Sequence, residues 1–169
     1  MAFVSCPELS QADFEAAAEE RLRPIAPELD LESFQAVWLL NQAADAARRH
    51  LEEHALLESD LSWSQFDVMW HLWLFGEQES RCVAQALRIS KSGMTVIATQ
   101  LVGRALVKRQ VSPADRRRVY LSVTKKGEAF MKRLFPRFNR AEGTFTDALS
   151  SQQKKELAGL LHLLLGTNP

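Results

Sequence analysis

One stretch of this chain breaks the helical periodicity that dominates the rest, and it constrains the fold more than any other feature. Val107, Arg109 and Val111, and later Val119, Leu121 and Val123, alternate with polar or charged neighbours, so side chains two apart share a face. Between them Ser112-Pro113-Ala114-Asp115 is turn-forming, because proline presets one backbone angle while serine and aspartate bond locally to the chain. The pattern predicts a two-stranded hairpin with a basic tip set among helices.

The helices carry their own start and stop chemistry. Ser10 and Asp13 have the spacing of a capping box for a short first helix that Pro24 and Pro27 end. A long helix is expected from Asp30 to about Leu57, with Val37, Leu40, Ala44, Ala47 and Leu51 on a stripe that Phe34 and Trp38 widen. Ser62 and Gln65 cap the next helix, whose Phe66, Met69, Trp70 and Trp73 read as core until Gly76 stops it. Two short helices follow, Ser80 to about Leu87 and Ser90 to about Arg104, which is helix-turn-helix spacing. After the hairpin, Thr124 caps a helix to about Ala148 that Pro136 is expected to bend or interrupt. Ser150 and Gln153 open a last helix that Gly166 closes. Its Leu157, Leu160, Leu161, Leu163, Leu164 and Leu165 cover too wide an arc for one neighbour to bury, which predicts a second subunit as cover.

With 169 residues, 46% hydrophobic and 25% charged, the chain has material for one ordinary domain. No apolar run approaches the roughly 20 residues of a membrane span. The opening MAFVSCPELSQ lacks the basic start and apolar stretch of an export signal, so a cytoplasmic protein is expected. Cys6 and Cys82 cannot build a disulfide framework or a four-thiolate metal site. The formal net charge is zero but unevenly spread: residues 1–60 hold 13 acids against four bases, and residues 81–126 hold 11 bases against Asp115 alone. Such a local footprint draws a polyanion to one surface while the acidic remainder discourages promiscuous binding. Arginine fills the tightest cluster, Arg116-Arg117-Arg118, and suits phosphate forks and narrow grooves.

From Trp63 to Gly127 the chain resembles the winged helix-turn-helix core of the MarR family of bacterial transcription regulators. VAQALRISKSGMT is similar to the family's second and recognition helices, LVKRQ to its outgoing strand, and DRRRVYLSVTKKG to its wing and following helix cap. The last match is the most specific, since Asp-Arg-Arg and the later Thr-x-x-Gly need strand, turn and cap in register. The resemblance implies a mainly α fold with a small β-hairpin wing: a winged helix-turn-helix DNA-binding domain over 61–127 and a helical dimerisation region from 1–60 and 128–169. It implies no enzyme and no cofactor, but a homodimer whose two winged lobes grip successive turns of a palindromic double-stranded operator. The implied role is a repressor released by a small, possibly aromatic, ligand.

A recognition helix presents its first turns to base edges in the major groove, which nominates Lys91, Ser92, Thr95, Val96, Thr99 and Gln100. Gln100 offers the paired donor and acceptor that suit adenine, and Val96 suits a thymine methyl; Ile97 and Leu101, on the opposite face, read as core. By resemblance Arg117 enters the minor groove and Asp115 braces the wing arginines; Arg116 and Arg118 alternate in direction around Arg117, so phosphate contact suits at least one of them. The chain departs from its relatives at Gly93, often threonine, at Val96 and Gln100, often arginine, and at Arg88 and Ala105, often glycine, so base preference does not carry over. The family's signal pocket lies between dimer helices and winged lobe, which nominates Trp38, His50, Trp63, Trp70, His71 and Trp73 as ligand contacts.

His50-Leu51-Glu52-Glu53-His54 matches HxxEH, which places two histidines on one helix face beside a glutamate. Zinc hydrolysis needs a third ligand and an open position, and no downstream acidic motif supplies one. A metal-responsive regulator using His50, Glu53 and His54, and behind it a zinc hydrolase, stand as alternatives to an ordinary helix surface. Cys82, beside Val83, reads as a buried apolar thiol and Cys6 as part of a mobile arm, with redox sensing as the alternative. A protein-docking winged helix explains the leucine-rich end but not the basic hairpin.

Overall fold

The computed structural model describes residues 11–26, 28 and 30–166; Ser10, Pro27 and Cys6 lie outside the described residues. The chain divides into two units, 1–46 and 47–169. In the first, α1 (Gln11–Leu22) ends two residues before Pro24, and α2 (Leu31–Leu51) begins after Asp30. The Asp30 carboxylate accepts from the Ser33 backbone N–H at 3.0 Å and from its hydroxyl at 2.6 Å, which holds its pKa below the usual carboxylate range. Phe14 and Trp38 stack with centroids 4.1 Å apart. Val37 and Leu40 of the expected stripe stay exposed, and within α2 only Leu51 is buried.

The second unit departs at once from the expected long helix. After Leu51 the chain takes a π-helical turn over Glu52–Leu56 and a 3-10 turn over Leu57–Ser59, closed by Asp60 at φ 54°. Hydrogen bonds spanning five residues bring Leu51 and Leu56 towards one face, and both are buried with Ala55. Arg137 donates to the His54 carbonyl at 2.8 Å and pairs with Glu58, so this irregular turn has a fixed external partner.

The capping box of α3 (Trp63–Phe75) forms in full, with Gln65 N–H donating to Ser62 Oγ at 3.3 Å and Ser62 N–H to Gln65 Oε1 at 2.9 Å. Gly76, at φ 74°, ends it. Phe66, Val68, Met69 and Leu72 are its buried residues. Trp70 and Trp73, expected in the core, are half-buried and pack against Phe135 at 5.1 and 6.0 Å, because Val68 and Leu72 take the inward positions. Next come β1 (Gln78–Glu79), α4 (Ser80–Ala86), α5 (Lys91–Gly103), β2 (Val107–Val111) and β3 (Val119–Val123).

The sheet has three strands rather than two, in the antiparallel order β1-β3-β2. Val107 faces Val123 and Arg109 faces Leu121, as alternation predicts, while the two-residue β1 sets Glu79 opposite Tyr120. Only Val107 of β2 is buried, so the hairpin leaves the core beyond its first pair. The hydrogen-bonded turn at its tip spans Asp115 to Arg118, three residues later than expected, with Arg118 N–H donating to the Asp115 carbonyl at 2.9 Å. Ser112-Pro113-Ala114 is the approach to that turn.

Thr124 ties sheet to helix. Its N–H donates to the Leu106 carbonyl at 3.0 Å and its hydroxyl to the Ala105 carbonyl at 2.7 Å, while Oγ1 accepts from Gly127 N–H at 3.0 Å to cap α6 (Lys125–Phe145). A Cβ on Gly127 would stand 2.1 Å from the Leu106 carbonyl oxygen and 2.8 Å from Val123 Cγ1, so this position must be glycine. Pro136 does not interrupt α6. It is exposed, whereas Met131 and Leu134 before it and Phe138 and Ala141 after it are buried and hold the helix on both sides. The last helix, α7 (Ser151–Leu165), has its capping box and a left-handed Gly166 but no buried residue; Leu160, Leu163, Leu164 and Leu165 are more than half exposed.

Gly127→Ala is expected to cost about 2–3 kcal/mol, because backbone rather than a flexible side chain must move. Urea unfolding measures it, and a loss below about 0.5 kcal/mol would contradict the close approach. Ala105, exposed and at φ 57°, carries the opposite expectation: Ala105→Gly relieves left-handed backbone and raises stability by about 0.5 kcal/mol in the same assay.

Candidate nucleic-acid interface

Helix α5 is bracketed by two turns of the same construction. After α4, Ile89 N–H donates to the Ala84 carbonyl at 2.8 Å and Arg88 N–H to the Gln85 carbonyl at 3.2 Å. After α5, Leu106 N–H donates to the Leu101 carbonyl at 3.0 Å and Ala105 N–H to the Val102 carbonyl at 2.8 Å. Both are Schellman endings, which need a left-handed residue at the bend, and Arg88 (φ 52°) and Ala105 supply it where glycine is usual. Arg88 therefore keeps the geometry of a glycine turn and adds a cation to it. Ser90 then caps α5 by accepting from Gly93 N–H at 3.1 Å.

Met94, Ala98 and Leu101 bury one face of α5; Lys91, Ser92, Thr95, Val96, Thr99 and Gln100 are all exposed on the other. The Thr95 hydroxyl donates to the Lys91 carbonyl at 2.9 Å and the Thr99 hydroxyl to the Thr95 carbonyl at 2.8 Å, leaving each oxygen to accept from outside. Gln100 Oε1 accepts from Gln65 Nε2 at 2.9 Å, which ties that acceptor to α3. No local pattern announces that bond, whose partners lie 35 residues apart.

At the hairpin tip the Asp115 carboxylate accepts from Arg117 N–H at 2.9 Å, a local turn that fixes the backbone under the two exposed residues Arg116 and Arg117. Asp115 thus braces the Arg117 main chain. Among the described residues neither Arg116 nor Arg117 has an acidic partner. Arg118 does: its guanidinium donates from Nε and Nη2 to Glu79 Oε2 at 3.0 and 2.9 Å, and that hydrogen bond pushes its pKa further up. Other cations are spent similarly, Lys108 facing Glu77 at 4.0 Å and Arg104 donating to the Ser59 carbonyl at 2.9 Å. Arg88, Lys91, Arg109 and Lys125 stay free of acids among the described residues.

A turn-joined helix pair, an outward-facing second helix and an arginine-tipped antiparallel wing agree with the comparison to known families, in which the model of the MarR family matches residues 61–119. Over that segment the chain is similar to the MarR family. An uncharacterised HTH-type transcriptional regulator of Bacillus subtilis, YwaE, is 28% identical over 133 residues, covering 79% of this chain and 78% of that one. A C80S mutant of MarR from Escherichia coli complexed with operator DNA superposes with a TM-score of 0.71 at 21% identity, covering 85% of this chain and 97% of that one. Bordetella bronchiseptica BpsR, whose DNA binding is regulated by 6-hydroxynicotinic acid, gives 0.71 at 23% identity, covering 77% of this chain and 98% of that one.

The residues nominated as ligand contacts take the following places within their own units. Trp38 belongs to the first unit, against Phe14. Trp70 and Trp73 flank Phe135, and His71 lies 4.9 Å from Phe75. Trp63 lines a cleft of about 750 Å³ with Gln65, Gln100 and Arg104, and the Arg48 guanidinium lies 5.6 Å from its ring. Burial there pushes the Asp67 pKa up, against the pull of Arg48 and a hydrogen bond from Trp63. His50 and His54, with centroids 4.3 Å apart, line a second cleft of about 350 Å³ with Arg137 and Arg140.

HxxEH does bring its histidines together, but His50 Nε2 is 3.1 Å from the Ala141 carbonyl, Glu53 is exposed, and two arginines replace further ligands. Among the described residues no group of three or more histidine, cysteine or acidic side chains is placed to hold a metal. Cys82 corrects another expectation: it is exposed, because one residue along α4 turns the chain away from buried Val83. Zinc titration of the purified protein is expected to show no stoichiometric binding; one equivalent lost on His54→Ala would restore the metal reading.

Proposed function

We propose that this protein is a sequence-specific transcriptional regulator that binds a palindromic operator as a homodimer and acts as a repressor released by a small ligand. The observation that carries the reading is the wing tip, where a local turn spends Asp115 on the backbone and leaves Arg116 and Arg117 without an acidic partner among the described residues. A narrow groove flanked by phosphates on both sides attracts such side chains. In this reading Lys91, Ser92, Thr95, Val96 and Thr99 meet the major groove, Arg117 the minor groove, and Arg88, Arg109 and Arg116 the phosphates. Gln100 reads a base only after giving up Gln65.

Support for a dimer comes from α7, whose exposed leucines need an apolar cover and whose partner of matching chemistry is another copy. Two copies place two recognition helices on successive turns of duplex. Support for ligand release comes from BpsR. A ligand that binds better to a dimer with mis-spaced lobes lowers operator affinity by that difference in binding free energy.

The test starts with selection of bound duplexes from a library of the source genome by the wild-type protein. Arg117→Ala is then expected to weaken the selected duplex at least about 10-fold at moderate salt, with unchanged circular dichroism. Unchanged affinity sinks the wing assignment, and sedimentation as a monomer in dilute buffer sinks the two-fold one.

A further inference from the structure

Glu79 is a buried carboxylate, 8% exposed, that spends each oxygen on a different element. Oε1 lies 2.6 Å from Arg81 Nε in the first turn of α4. Oε2 accepts from Arg118, the residue that joins the wing tip to β3. Arg118 also closes the tip through its main chain, its carbonyl accepting from Ser112 N–H at 2.9 Å and its N–H reaching Asp115. Its guanidinium lies 5.8 Å from the Tyr120 ring, and Tyr120 is the residue paired with Glu79 across the sheet. One acid therefore fixes the side chain of the residue whose backbone shuts the wing, and anchors it to the start of the helix-turn-helix.

We propose that Glu79 is a positioning residue for DNA recognition: it holds the wing at a set distance from the helix-turn-helix, so that Arg117 and α5 reach their grooves in register. This rests on the DNA-binding reading and adds to it a residue that touches no DNA. The carboxylate has a second effect. By neutralising Arg81 and Arg118, which are 76% and 47% exposed, it keeps two cations beside the site from gripping phosphate indiscriminately.

The test compares the duplex selected by the wild-type protein with a scrambled duplex of equal length, across a salt series. Glu79→Gln keeps the size of the side chain and removes the charge. The preference for the selected duplex is expected to fall at least about 10-fold while the salt dependence steepens by about one to two ions, as freed arginines turn to phosphates. A purely structural Glu79 would lower the melting temperature and leave both readouts alone, and that result overturns the proposal. Arg118→Gln is the companion should Glu79→Gln not fold: it is expected to lose the same preference without steepening the salt slope, and full retention of preference overturns the strut. In Glu79→Gln/Arg118→Gln the loss should not exceed the larger single loss; additive losses contradict a shared contact. If selection with the wild-type protein recovers no duplex, the DNA-binding reading falls first and takes this proposal with it.

Discussion

The Leu106 carbonyl is where the winged unit is joined. It accepts from the Thr124 backbone, and Gly127 comes so near that no side chain fits between them. A carbonyl buried between a strand and a helix must be paired, and the approach that pairs it also decides where α6 leaves the sheet. Leu106 ends the turn after α5 and Thr124 follows β3, so one contact sets recognition helix, wing and long helix relative to one another. The buried side chains around it, Leu101, Leu106, Val107, Leu121 and Met131, add non-directional stability to that arrangement.

On this frame, electrostatics separates cations that build from cations that bind. Arg104 and Arg137 cap carbonyls, Arg81 and Arg118 share Glu79, and Lys108 faces Glu77. The described cations left without an acid include Arg88 at the turn before α5, Lys91 at its first residue, Arg109 on β2, and Arg116 and Arg117 at the wing tip. Each of these pairs is exposed on at least one side and contributes modestly to stability. Their larger effect is to fix which basic groups keep their charge for a polyanion.

Much of this was legible locally. Capping boxes at Ser62 and Ser150, the stop at Gly76 and the paired strands rest on neighbours a few residues away, and periodicity reads such patterns well. The outward positions of α5 followed from its inward ones. What escaped depends on contacts distant in sequence: β1 exists because β3 lies beside it, Gln100 is restrained by Gln65, and Arg118 is withdrawn by Glu79. The turn at the wing tip was displaced because Asp115 bonds forward to Arg117, whereas proline had suggested an earlier bend. The tryptophans misled through size, since large amphipathic rings settle at the margin of a core more readily than at its centre.

The π-helical turn after Leu51 has a consequence for how this chain is compared with others. A segment that uses five residues where an α-helix uses four holds one residue in excess, absorbed without a loop. Length variation here is thus hidden inside a helix. An alignment that assigns the surplus to the connection around Asp60 would offset by one the positions between the π-helical turn and that connection, pairing residues such as Leu56 with the wrong counterparts and turning a buried face into a solvent-facing one.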